Sequence, residues 1–184
     1  GDVATFQSTG SNTVQCINYT KADGTGIVAA GGNKTVFLKI IGDESTDGDV
    51  YIGSCMVTKF VDAVTDSGGA WWVVPDDFTS LTSITFSWAT GNIGAGNARL
   101  DFEACATTGT EQYNVTNTDA ITQADYADNT AEWGRVETDI AALVNGLTLT
   151  VGHEVGFWVR RTASHANDTI GNTMGAVMIT IVYA

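Results

Sequence analysis

Proline is nearly missing from this chain: one residue in 184, against 21 glycines. Strands can therefore run without the residue that removes a ladder donor, while turns needing positive φ are well supplied. Charge is also scarce, with DEKR at 16%, below the roughly 25% usual for soluble domains, so polarity rests on Thr, Ser, Asn and Gly. Basic residues are the scarcest, eight against 21 acidic ones for a formal net charge of −13. That balance argues against electrostatic binding to nucleic acid or to anionic membranes and makes cations the natural small partners. No apolar run approaches the ~20 residues of a membrane helix, so membrane insertion is not expected. The three cysteines, Cys16, Cys55 and Cys105, include no CxxC pair, allow at most one intrachain disulfide, and read as small buried hydrophobes. The two histidines, His153 and His165, have no ligand partner at metal spacing, and no GxSxG elbow is present, so no catalytic residue is assigned and the chain is not expected to be an enzyme.

What is present is alternation of period two. Ile84, Phe86 and Trp88 alternate with Ser83, Thr85 and Ser87, and Leu100, Phe102 and Ala104 with Arg99, Asp101 and Glu103. Val155, Phe157 and Val159 alternate with Gly156, Trp158 and Arg160, and the final run Val177–Tyr183 is apolar on both sides through Met178 and Val182. Such segments are half-buried strands. Further strands are expected over 13–19, 35–41, 50–58, 70–74, 133–140 and 147–151, separated by Gly- and Asp-rich turns. The stretch 119–140 reads as a long loop leading into a strand, since its apolar residues hold no helical period. The expected fold is all-β: an antiparallel β-sandwich, jelly-roll-like, of about ten strands with little or no helix, in a single domain over 1–184. Residues 1–13 are polar and read as an extended N-terminal arm with Val3 and Phe6 as its anchors, suited to strand addition on a neighbour.

The segments WWVVPDDFTSLTSITFSWAT, VGHEVGFWVRR, NDT and MGAVMITIVYA resemble a β-sandwich structural domain of tailed-bacteriophage virion proteins, marine and metagenomic ones especially, over residues 71–184. The chain departs from that pattern at His153-Glu154, where a Gly-Asp turn is usual. A weaker similarity in kind links it to secreted, strand-exchanging matrix or pilus subunits. The resemblance implies a non-enzymatic structural subunit, extracellular or part of a virion, that assembles with copies of itself into a particle component, fibre or tube.

Several constellations are candidate sites. Asp43, Ser45, Asp47 and Asp49 place oxygen ligands around Gly48 as the first half of a Ca²⁺ loop does, but Ser54 stands where the bidentate Glu belongs, so a solvated acidic turn competes with Ca²⁺ binding. Asp101 and Glu103, two apart on one strand face, are close for a glycosidase acid and base. Trp88 belongs to the core by its phase, whereas Trp158 and one of Trp71 and Trp72 must point outward. Outward tryptophans, with Met178 and Val182, suit a subunit interface; alternatively Trp71, Trp72 or Trp158 forms the stacking platform of a carbohydrate- or receptor-binding module, with surface glycans as partners. Arg160 and Asp168 flank the last hairpin loop, as does Arg161, and are expected to form a structural salt bridge.

Overall fold

The structure is a computed structural model and describes residues 3–10, 13–20, 32–42, 49–52, 54–62, 64–91, 95–107 and 118–184, the first two stretches as backbone only. The chain divides into two compact units, Gly1–Gly32 and Asn33–Ala184. In the first, β1 (Val3–Gly10) and β2 (Thr13–Thr20) pair antiparallel. The backbone of the expected arm thus takes a strand conformation, while the side chains of Val3 and Phe6 lie outside what is described.

The second unit contains β3 (Lys34–Lys39), β4 (Ile41–Gly42), β5 (Asp49–Ile52), β6 (Cys55–Phe60), β7 (Thr65–Val73), β8 (Leu81–Thr90), β9 (Asn97–Thr107), β10 (Thr118–Ala127), β11 (Arg135–Asp139), β12 (Glu154–Thr162) and β13 (Met174–Tyr183). Its only helical element among the described residues is a single 3-10 turn, Ala141–Val144. Five strands form one antiparallel sheet in the order β10-β9-β12-β7-β4; the other runs β11-β8-β13-β6-β5, with β3 also paired to β13. Counted from β6, the first, eighth, third and sixth strands share one sheet and the second, seventh, fourth and fifth the other. That is the jelly-roll order, so the antiparallel sandwich expected from the periodicity is the observed fold.

The two sheets meet through the residues whose alternation announced them. Ile84, Phe86 and Trp88 from β8 face Leu100, Phe102 and Ala104 from β9, all buried, and Phe86 meets Phe102 edge-on at 5.4 Å between ring centroids. Trp88 lies wholly inside and donates its indole N–H to Thr138 Oγ1 at 2.9 Å, which satisfies its one polar atom. Trp72, Phe78 and Tyr183 close one end of the core with centroids 5.8 to 6.0 Å apart.

Several expectations are corrected. Residues 118–127 are not loop but the edge strand β10. A bulge between Ile121 and Ala124, with Gln123 at φ 39°, shifts the alternation, so that Ile121, Ala124 and Tyr126 oppose the inward residues Phe102, Leu100 and Ala98. Residues 147–151 form no strand. Trp133 precedes β11 at φ 56°, outside strand geometry. β7 starts earlier than the apolar run suggests, because Ser67, Gly68 and Gly69 pair fully with Arg160, Val159 and Trp158. Cys55 is an exposed free thiol at the end of the β5–β6 hairpin rather than a buried one, and Cys105 is free and half-buried.

The ion pair of the last hairpin also has a different member. Alternation along β12 sends Val155, Phe157, Val159 and Arg161 inward, so Arg161, not Arg160, bonds Asp168, through Nε at 3.0 Å and Nη2 at 2.8 Å. Arg160 points to the opposite face, where Asp101 receives it.

Candidate functional site

The outer face of the five-stranded sheet carries a groove of about 1020 Å³ lined by Gly69 and Trp71 of β7, Gly156 and Trp158 of β12, Glu103 and Cys105 of β9, and Asp119 of β10. Its floor comes from a sequence feature that occurs twice. Both β7 and β12 contain Gly-x-Trp, Gly69-Ala70-Trp71 and Gly156-Phe157-Trp158, with the middle residue pointing into the core. The strands run antiparallel with Ala70 opposite Phe157, so Trp71 falls opposite Gly156 and Trp158 opposite Gly69. Each indole therefore faces a position without a side chain. A Cβ added at Gly156 would stand 3.4 and 3.5 Å from two ring carbons of Trp71 and 3.2 Å from Cys105 Sγ, which places the Trp71 ring over that gap. Trp71 is 56% exposed.

Arg160, two residues beyond Trp158, covers one flank of its indole, with Cζ 4.9 Å from the ring centroid. The guanidinium is held there by Asp101, which accepts from Nε at 3.0 Å and Nη2 at 2.9 Å while also taking the Gln123 amide at 2.6 Å. Asp101 is 4% exposed while the Arg160 side chain stays 36% exposed, so the buried carboxylate anchors a solvent-facing guanidinium against Trp158. The bulge that hides β10 in the sequence supplies the third bond.

Other charged groups on this face are also committed. Asp119 accepts the Ala120 amide on Oδ1 (2.8 Å) and the Gly146 amide on Oδ2 (2.7 Å). Asp125 accepts Arg99 Nη1 at 2.6 Å and Asn167 Nδ2 at 3.0 Å, and the Arg99 hydrogen bond, followed by that of Asn167, holds its carboxyl below the usual carboxylate range. Glu103 is different. It lies opposite Trp158 on one side and Ala120 on the other, is exposed, and has no partner among the described residues. Asp101 and Glu103 thus do not form an acid and base pair, since the first is tied up by Arg160 and an amide.

The remaining sequence candidates are scattered. Trp72 is 5% exposed and belongs to the core, so Trp71 is the outward member of the adjacent pair. Met178 and Val182 are half-buried on the outer face of the other sheet, with Lys39 and Thr35 as their β3 neighbours. Asp43, Ser45 and Asp47 lie outside the described residues, and Asp49 accepts Lys39 Nζ at 3.0 Å. Among the described residues, no three His, Cys, Asp or Glu side chains gather as metal ligands would. The groove glycines, Cys105 and Asp119 were not singled out by sequence, although the repeated Gly-x-Trp was there to be read.

No protein-family model matches the sequence, and no curated protein matches it. Among solved structures, a family 11 carbohydrate-binding module from Clostridium thermocellum, in complex with a β-1,3-1,4-mixed-linked tetrasaccharide, is similar over 84% of this chain and 86% of that one, at 15% identity and TM-score 0.36. TmCBM61, in complex with β-1,4-galactotriose, is similar over 82% and 83%, at 7% identity and TM-score 0.32. A family two carbohydrate esterase from Cellvibrio japonicus is similar over 83% of this chain, which spans 34% of that chain's length, at 8% identity and TM-score 0.34. Scores this low carry no argument about this chain's function, and the fold rests on its own strand order.

Proposed function

We propose that the second unit is a carbohydrate-binding module whose site is the Trp71–Trp158 groove, acting by binding rather than by catalysis. The observation that supports this reading is the Gly-x-Trp pairing. A pyranose presents a flat patch of C–H groups that packs on an indole, and its hydroxyls need polar groups at the rim. Trp71 and Trp158 supply the two apolar surfaces, Gly69 the room beside Trp158, Gly156 the seat of the Trp71 ring, and Glu103 and Asp119 the polar rim. Ordered aromatics on rigid strands lose little freedom on binding, which suits a shallow site that must gain affinity from small contacts. The test is a glycan array followed by titration calorimetry on the best binders. Trp71→Ala and Trp158→Ala are each expected to weaken binding about tenfold or more with little change in thermal midpoint; binding that survives both substitutions sinks the reading.

Self-assembly is the second reading, and Phe37, 67% exposed on β3 next to Thr180 of β13, favours it. A chain that stays monomeric by light scattering across a broad concentration range, with Phe37→Ser indistinguishable from the parent, removes it.

A further inference from the structure

We infer that the groove prefers glycans bearing a free amino group, with Glu103 as the residue that selects for it; this rests on the carbohydrate-binding reading. The argument is one of charge accounting. Arg160 is matched by Asp101 and Arg99 by Asp125, so neither cation of this face is left over for an acidic sugar. Both carboxylate oxygens of Asp119 accept backbone amides. Of the two carboxylates that line the groove, Glu103 is the exposed one with no partner among the described residues, and it stands directly across from Trp158. Cross-strand neighbours place their Cβ atoms about 5 Å apart, so one ammonium group can touch the carboxylate and the indole together. The indole already holds one cation, the Arg160 guanidinium at 4.9 Å; its cross-strand neighbour on β7 is Gly69, where an added Cβ would meet no side-chain atom within 4 Å. A hydroxyl in the same place gains a hydrogen bond only, an ammonium gains a charge-assisted bond and a cation–π contact, and a uronate meets an unmatched negative charge.

The experiment compares three β-1,4-linked hexasaccharides of similar shape, built from glucose, N-acetylglucosamine or glucosamine, at a pH where the amine is protonated. Each is titrated into the full chain and into Glu103→Gln, with Glu132→Gln as a control that removes one exposed charge elsewhere. Thermal midpoints confirm that all three proteins are folded. The glucosamine oligomer is expected to bind about tenfold more tightly than the glucose oligomer at low salt, with the advantage lost in Glu103→Gln, retained in Glu132→Gln and reduced by salt. Equal affinity for the three oligomers overturns the inference while leaving the groove as a glycan site. A preference that survives in Glu103→Gln, or that falls equally in both variants, also overturns it, since net charge rather than Glu103 would then be selecting. Failure of all three oligomers to bind any of the proteins counts against the carbohydrate-binding reading itself.

Discussion

Asp168→Asn isolates one buried charge with almost no change in side-chain volume. The side chains of Arg161 and Asp168 have no accessible surface, and a guanidinium is a permanent cation. In the parent it makes two bonds to the carboxylate and donates to Asn172 O at 2.7 Å and Ile170 O at 2.6 Å. The amide variant leaves those carbonyls but removes the counter-charge, and Asp168 Oδ2 also accepts the Arg99 amide at 3.0 Å. Breaking a buried pair by removing one partner costs about 3–5 kcal/mol. The two carbonyls, and Asp62 at 3.7 Å, put the expectation at the lower end, about 3 kcal/mol. For a unit of this size that is a fall in thermal midpoint of roughly 6–12 °C. Urea unfolding followed by tryptophan fluorescence, with calorimetry alongside, reads both quantities, because Trp72 and Trp88 are buried. Replacing the pair by Arg161→Met with Asp168→Leu should recover much of the loss. A single variant within about 1 kcal/mol of the parent would refute the reasoning, as it would mean that the guanidinium is not held by the carboxylate.

Gly68→Ala places a Cβ 2.8 Å from both Ile40 Cγ2 and the Ile41 carbonyl oxygen, so β4 must move off β7; a loss of about 1–3 kcal/mol is expected by chemical denaturation, and an unchanged midpoint contradicts the packing. Cys105 lines the groove while Cys55 lies outside it, so a bound glycan should slow alkylation of Cys105 and leave Cys55 unaffected, as followed by peptide mass mapping. Equal protection, or none at either thiol, argues against ligand in the groove. Asp125 has a lowered carboxyl pKa, first through its hydrogen bond from Arg99, so its stabilising contribution is full above about pH 4 and is lost as pH falls through that lowered value. A carbon-detected NMR titration should place its midpoint below that of an exposed aspartate, and a midpoint at or above it rules the Arg99 bond out in solution.

The sandwich was legible because its inner faces are written in plain alternation: β8, β9, β12 and β13 each carry three or more apolar residues two apart, and each buries them. β10 was not legible, for a physical reason. Its inward residues Ile121 and Tyr126 are five apart, an odd spacing that only the bulge at Gln123 reconciles with one face. The identity of the hairpin ion pair followed the same logic in reverse, since the phase of β12 already assigned Arg161 to the interior and Arg160 to the surface. The groove was half visible. Outward indoles could be counted from strand phase, but which residues stand opposite them depends on register between strands far apart in the chain, which no local pattern encodes. Asp43, Ser45 and Asp47 fall outside the described residues.

The pairing of β7 with β12 has a consequence in terms of symmetry. A two-fold axis normal to the sheet, passing between Ala70 and Phe157, carries Trp71 onto Trp158 and Gly69 onto Gly156. A chain of sugars has a reducing and a non-reducing end, and a backbone dyad cannot tell them apart; the indoles already depart from it, since the Trp71 ring lies over Gly156 whereas no atom of Trp158 comes within 4 Å of a Cβ at Gly69. The flanks break it further: the dyad carries Arg160 onto Val73, and Asp101 and Glu103 come from β9, whereas the two-residue strand β4 takes the corresponding place beside β7. On the carbohydrate-binding reading, a substitution at Arg160 or Glu103 should therefore change the direction in which a ligand lies while leaving both indoles in place.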